Sequence, residues 1–165
     1  MVRVLLFSLL LCFVAETAQA AVVLRPVWNP GNAVVSATAV HEVRFTVLSS
    51  ITVPGTIQLT FPNEISFSGV GVSDIQFTHG PSTGAETSES LAASAGVGVW
   101  GVSIGARSLT LSTPTDAGAS ELLANDLVII RIGQTTGGLV TNPSSGGVYS
   151  VAISGSYEGT ARTAF

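Results

Sequence analysis

Five consecutive residues, Gly101-Val102-Ser103-Ile104-Gly105, match the G-x-S-x-G pattern that lifts a serine nucleophile onto a sharp strand-to-helix turn. A hydrolase built on that elbow needs a helix after the serine and a histidine base later in the chain. Here Ala106-Arg107-Ser108-Leu109-Thr110-Leu111 continues as turn and strand, and both histidines, His41 and His79, precede Ser103. The match therefore reads as coincidence in a Gly/Ser/Val-rich strand, and no catalytic residue is assigned. The overlapping Gly96-Val97-Gly98-Val99-Trp100-Gly101 fits G-x-G-x-x-G, with Glu121 twenty positions beyond. That fingerprint has meaning only where a helix N-terminus meets a pyrophosphate, and no helix follows it. No cofactor is implied.

Metal chemistry is equally thin. Zinc would have to take His41, His79 and a carboxylate, which share no helical or hairpin spacing. For calcium, Asp116, Glu121, Asn125 and Asp126 supply oxygens on neighbouring loops, but no D-x-D-x-D-G loop is present. Thr115-Asp116-Ala117-Gly118 reads instead as a turn in which the aspartate bonds its own backbone. A carboxylate pair for glycoside hydrolysis would come from Glu42, Glu64, Asp74, Glu86, Glu89, Asp116, Glu121, Asp126 and Glu158, most of them in turns or on outward faces. The residues suited to a sugar platform are the two tryptophans. Trp100, between Val99 and Val102, is expected in the core, and Trp28, between Pro26 and Pro30, is expected at the surface as a possible ligand platform.

The elements that would position these groups are strands. Val43-x-Phe45-x-Val47, Ile57-x-Leu59-x-Phe61, Ile65-x-Phe67, Ile75-x-Phe77 and Leu109-x-Leu111 alternate apolar and polar residues with the period of two of half-buried strands. Leu127-Val128-Ile129-Ile130 is apolar on both faces, the pattern of an interior strand. Val53-Pro54-Gly55 predicts a type II turn. Residues 80–96 lack the alternation and are expected as a long loop or one helical turn. Tyr149-x-Val151-x-Ile153 is the last clear strand, and a tyrosine there, after a Pro/Gly turn, fits either the tyrosine corner of Greek-key sandwiches or an ordinary half-buried aromatic.

At the N-terminus Arg3 precedes the apolar residues 4–14, and Ala18-Gln19-Ala20 follows, the layout of a cleavable secretory signal. Its apolar run falls short of the roughly 20 residues of a spanning helix. Removal of the first 20 of 165 residues leaves a single domain, 21–165, with no cysteine, since Cys12 lies within the signal. All six cations are arginines, lysine is absent, and the formal charge is −4. Such a surface has no basic patch for nucleic acid and no polybasic segment for a membrane.

Phe45-Thr46-Val47, Ile57-Gln58-Leu59-Thr60-Phe61-Pro62, Leu109-Thr110-Leu111 and Thr141-Asn142-Pro143 through Tyr149-Ser150-Val151 together resemble the immunoglobulin-like β-sandwich modules of bacterial surface and extracellular proteins. The resemblance implies an all-β, Greek-key sandwich of about eight or nine strands at the cell surface, and it transfers no active site. The function expected is a non-enzymatic, secreted or cell-surface structural domain, associating with itself or with the envelope by strand addition at a sheet edge. Ala21, Val22, Val23 and Leu24 form the candidate donor strand. The alternatives are an adhesin or carbohydrate-binding module using Trp28, with a glycan as partner, and a small outer-membrane barrel ending at Phe165.

Overall fold

The computed structural model describes residues 23–116, 120–134, 140–156 and 160–164. The expected signal segment, residues 1–20, and Ala21 and Val22 of the expected donor strand lie outside them. In chain order the strands are β1 (Val23–Pro30), β2 (Thr38–Ala39), β3 (His41–Val47), β4 (Ile51–Thr52), β5 (Thr56–Thr60), β6 (Ile75–Gly80), β7 (Thr87–Ser88) and β8 (Leu91–Ala92). There follow β9 (Trp100–Ile104), β10 (Ser108–Ser112), β11 (Ser120–Leu122), β12 (Leu127–Ile132), β13 (Val140–Thr141), β14 (Ser150–Gly155) and β15 (Thr160–Ala164). A 3-10 turn at Val72–Asp74 leads into β6.

Two large sheets carry the fold, one ordered β1-β3-β12-β6-β7 and the other β15-β14-β5-β10-β9-β8. Two-stranded ladders of β11 with β4 and of β13 with β2 flank them. If β1, β3, β5, β6, β12, β14 and β15 are lettered A to G, the sheets contain the orders A-B-E-D and G-F-C, which is the constant-type immunoglobulin sandwich. The segment β7–β11 is inserted between strands D and E, and its first four strands widen both layers. These two sheets keep separate edges, so the outer-membrane barrel, a single closed sheet, is not the architecture.

Alternation decides the core. Val43, Phe45 and Val47 of β3 are buried, as are Ile57 and Leu59 of β5, Leu109 and Leu111 of β10, and Val151 and Ile153 of β14. Strand β12 pairs with β3 on one side and β6 on the other, and Ile129 on its outer face is buried along with Val128, Ile130 and Ile132. The interior strand read from residues 127–130 is therefore observed. Residues 80–96 differ from the expected loop, because they supply β7 and β8. Strands of two residues are too short to show a period, which is why the sandwich has more strands than eight or nine. Ile65 and Phe67 are buried in the core, yet their segment forms no named strand and pairs its backbone through an isolated bridge between Ser66 and Thr141. At Val53-Pro54 the peptide bond is cis, and Gly55 is not among the residues with positive φ, so the type II turn does not form. Gly55 is needed for space, since a Cβ there would lie 2.6 Å from the Thr52 carbonyl oxygen.

Candidate functional site

Ser103 lies exposed in β9, opposite Thr110 of β10. After Ile104 the chain turns at Gly105, whose N–H donates to the Ser108 carbonyl at 2.8 Å, and enters β10. The surroundings are strand, turn and strand, with no helix to cradle a nucleophile or a pyrophosphate. Gly96 and Val99 bridge each other across a tight turn at Gly98, where φ is +63.

Both histidines are built into structural networks. His41 has the inward parity of Val43, Phe45 and Val47 and is 0% exposed. Its Nδ1 accepts from the Trp28 indole Nε1–H at 2.9 Å, and its Nε2 lies 2.8 Å from Asn142 Oδ1. The indole can only donate, so the ring is neutral with its proton on Nε2, donating to Asn142. The Asn142 amide in turn donates to the carbonyls of Asn32 at 2.6 Å and Val34 at 2.9 Å. Burial lowers the His41 pKa to about 4, against the smaller raising effect of the Asn142 bond.

His79, on the inward parity of Ile75 and Phe77, stacks on Phe77 and places Nε2 3.0 Å from Glu89 Oε1 and Nδ1 3.2 Å from Asp126 Oδ2. Asp126 Oδ2 also accepts the Leu123 N–H at 3.0 Å. Zinc's two histidines are thus spent separately. Among the described residues the calcium set does not converge either: Asp116 Oδ1 accepts from Gly98 N–H at 2.7 Å, and the Glu121 side chain is outside the described residues. On the outer face of the first sheet, Glu42 accepts from Arg44 and from Arg131 Nε at 2.7 Å. Burial opposes ionisation of Glu42, but the hydrogen bonds from Arg44 and Arg131 outweigh it and hold its pKa below the ordinary carboxylate value. The remaining acids seen in hydrogen bonds cap local turns, Asp74 at Gly71 and Glu86 at Gly84.

Trp28 is not the exposed platform its flanking prolines suggest, being 2% exposed and packed edge-on against Phe61 with ring centroids 5.5 Å apart. The reason is a bulge in β1: the register advances from Leu24 opposite Thr46 to Val27 opposite Arg44, and the extra residue turns Trp28 inward opposite Val43. The expected donor is also committed, because Val23 pairs with Val47 and Leu24 with Thr46 of the same chain, and Val23 is buried. Trp100 is buried as expected, against Phe77 at 4.8 Å.

Among the described residues the sheet margins are β1, β7, β8 and β15. β7 and β8 are edges of two residues each. β1 is blunted by its bulge, by Pro26 and Pro30, and by Arg25 at φ +50. β15 has no proline and pairs without register shift with β14, from Ser150 opposite Ala164 to Ser154 opposite Thr160. At one end, Val53, Pro54, Gly55, Thr56, Thr113 and Pro114 line most of a groove of about 410 Å³.

Sequence reasoning had no reason to select Asn142, which lies 101 residues from His41. The inward place of His41 and of His79 could have been found by extending the apolar alternation of their strands by one step.

The fold defines an immunoglobulin-like sandwich with a five-strand insertion between strands D and E. No protein-family model matches the chain, and no curated protein does. Among solved structures it is similar to the collagen-binding subdomain of the Enterococcus faecalis surface protein ACE, at 8% identity and a TM-score of 0.48, covering 88% of this chain and 96% of that one. A group B streptococcus pilus 2b backbone protein aligns at 8% identity and TM-score 0.49, over 82% of this chain and 55% of the other. The collagen-binding domain of a Staphylococcus aureus adhesin aligns at 7% and 0.43, over 84% and 95%. Likenesses at this level assign no function to the chain.

Proposed function

We propose that this protein is a non-enzymatic, extracellular or cell-surface structural domain that associates with copies of itself, or with the envelope, by strand addition at a sheet edge. The observation that carries the reading is β15: among the described residues it ends its sheet, is five residues long and free of proline, and has β14 as its ladder partner, with β1 of the same chain lying alongside. Main-chain groups on such an edge give affinity without special side chains. Two further features support it. The histidines are occupied in structural networks rather than poised beside a nucleophile, and the export signal expected in residues 1–20 accounts for the location. Because Val23 and Leu24 belong to β1, an incoming strand is taken from the β15 region of a second copy rather than from residues 21–24.

Light scattering across a concentration series tests this, with Ala161→Pro and Arg162→Pro as variants. Neighbouring N–H groups point to opposite sides of a strand, so one of the two prolines spares the ladder with β14. Loss of association in the folded variant supports the reading, and a parent that stays monomeric at every concentration overturns it.

A second reading is favoured by the end groove, whose volume falls in the range of roughly 300–1,000 Å³ typical of ligand sites. It makes the domain an adhesin or carbohydrate-binding module with a glycan as partner, carried by that groove instead of Trp28. Glycan-array binding abolished by Thr113→Trp would select it.

A further inference from the structure

We propose that copies of this chain also join end to end, with two valine-tipped loops at one pole of the sandwich entering the apolar groove at the opposite pole of the next copy. The two surfaces lie at the two ends of one strand. Val148 precedes β14, and Ser156, which lines the groove, follows it, so at about 3.3 Å per residue they are about 26 Å apart. The loops are residues 31–37 and 142–149, on which Val34, Val35 and Val148 are 62%, 48% and 86% exposed. These valines stand on loops that are tied down. Asn142, the last member of the buried relay from Trp28 through His41, donates both amide hydrogens to loop carbonyls, those of Asn32 and Val34. Ser36 N–H donates to the Pro143 carbonyl at 2.9 Å, and Asn142 N–H to the Ala37 carbonyl at 2.9 Å. Ala33 and Val35 line one shallow hollow with Gly147 and Tyr149, which puts the two loops side by side and groups their valines. Apolar groups fixed in this way lose little entropy when a partner covers them.

The groove suits what the loops present. Val53, Pro54 and Pro114 supply apolar wall, and its volume of about 410 Å³ holds roughly a dozen groups the size of a water molecule, against the nine side-chain carbons of three valines. Charge selects the orientation. Residues 31–37 and 142–149 contain no acidic or basic side chain, and neither do the residues lining the groove, but Asp116 stands beside the groove directly after Thr115. Groove against groove therefore sets two carboxylates together, a like-charge contact that the uncharged loops avoid. Valine loops against valine loops meet projection to projection and cover little of either. Shape and charge are both satisfied when the loops of one copy enter the groove of another. Because the two surfaces differ and lie at opposite poles, the contact is heterologous and repeats into a line instead of closing on itself. It rests on the reading that copies of the chain associate, and it leaves β15 untouched. The three valines expose about as much surface as two free ones, which supports contacts of about millimolar strength.

Small-angle X-ray scattering of the exported protein, as a concentration series reaching the millimolar level, tests the contact with two variants, Val148→Asp on the loops and Thr115→Glu at the groove. Both side chains are exposed, so neither change touches the core. Particles that lengthen with concentration are expected for the parent, with an association constant at least about tenfold lower for each variant. An equimolar mixture of the two variants holds one intact pair of loops and one intact groove per couple, so it is expected to form dimers and stop there. Either variant associating alone as strongly as the parent, or a mixture no more associated than its parts, overturns the proposal. The β15 prolines separate it from strand addition. Association lost with the tolerated proline but kept with Val148→Asp leaves strand addition and removes the end-to-end contact; association kept with the proline but lost with Val148→Asp does the reverse. A parent that stays monomeric while its groove binds a glycan also overturns it.

Discussion

Replacing Asn142 by alanine isolates the cost of the relay. The substitution strips the acceptor from His41 Nε2–H in a fully buried site and removes two donors from the carbonyls of Asn32 and Val34. A buried donor left without a partner costs about 1–3 kcal/mol. The two carbonyls are at the part-buried end of the network and can recruit water, so each adds about 0.5 kcal/mol, and the whole loss comes to about 3 kcal/mol. For a domain of this size that lowers Tm by about 10 °C. Equilibrium urea denaturation followed by tryptophan fluorescence measures it as a drop in midpoint at unchanged m-value. Val34→Ala, an exposed truncation on the same loop, serves as the reference and stays within about 0.5 kcal/mol of the parent. A loss below about 1 kcal/mol for Asn142→Ala would refute the reasoning, since it would mean that His41 finds another acceptor and that the loop is held by something else.

Tyr149→Phe removes a hydroxyl that donates to the Ser145 carbonyl at 2.9 Å just ahead of β14, the arrangement of a tyrosine corner; a loss of about 1 kcal/mol in urea denaturation is expected, and none would make the tyrosine an ordinary aromatic. Gly80→Ala, at the end of β6, puts a Cβ 2.4 Å from the Ala85 carbonyl oxygen, so a destabilisation of about 2 kcal/mol is expected by the same method. Glu42→Gln tests the outer-face cluster through pH. The Glu42 pKa is lowered in the folded state, so its contribution is present above the ordinary carboxylate pKa and is lost as pH falls through the depressed one. The stability gap between parent and Glu42→Gln is therefore expected at pH 7 and narrows in acid; a gap that is constant with pH would count against the assignment.

Residue order along the chain was enough for the strands and for much of the interior. The alternation at Val43, Phe45 and Val47 and the two-faced apolar run of residues 127–130 name both the element and its environment, because a strand's side chains change face at every residue and burial follows. Tyr149 sits where the pattern allowed a corner, and its hydroxyl makes that bond. Extending the same period would have placed His41 and His79 inside.

What local pattern could not supply was anything that depends on a partner far along the chain. Trp28 was misjudged because one bulged residue in β1, set by pairing with β3, reverses the faces of everything after it. β7 and β8 are strands only because β6 and β9 lie beside them. The bond between His41 and Asn142 spans 101 residues. A period of two fixes which way a side chain points within its own strand, by backbone geometry alone. Which strand lies next to it, and so which polar groups meet in the core, is decided only when the two sheets close on each other.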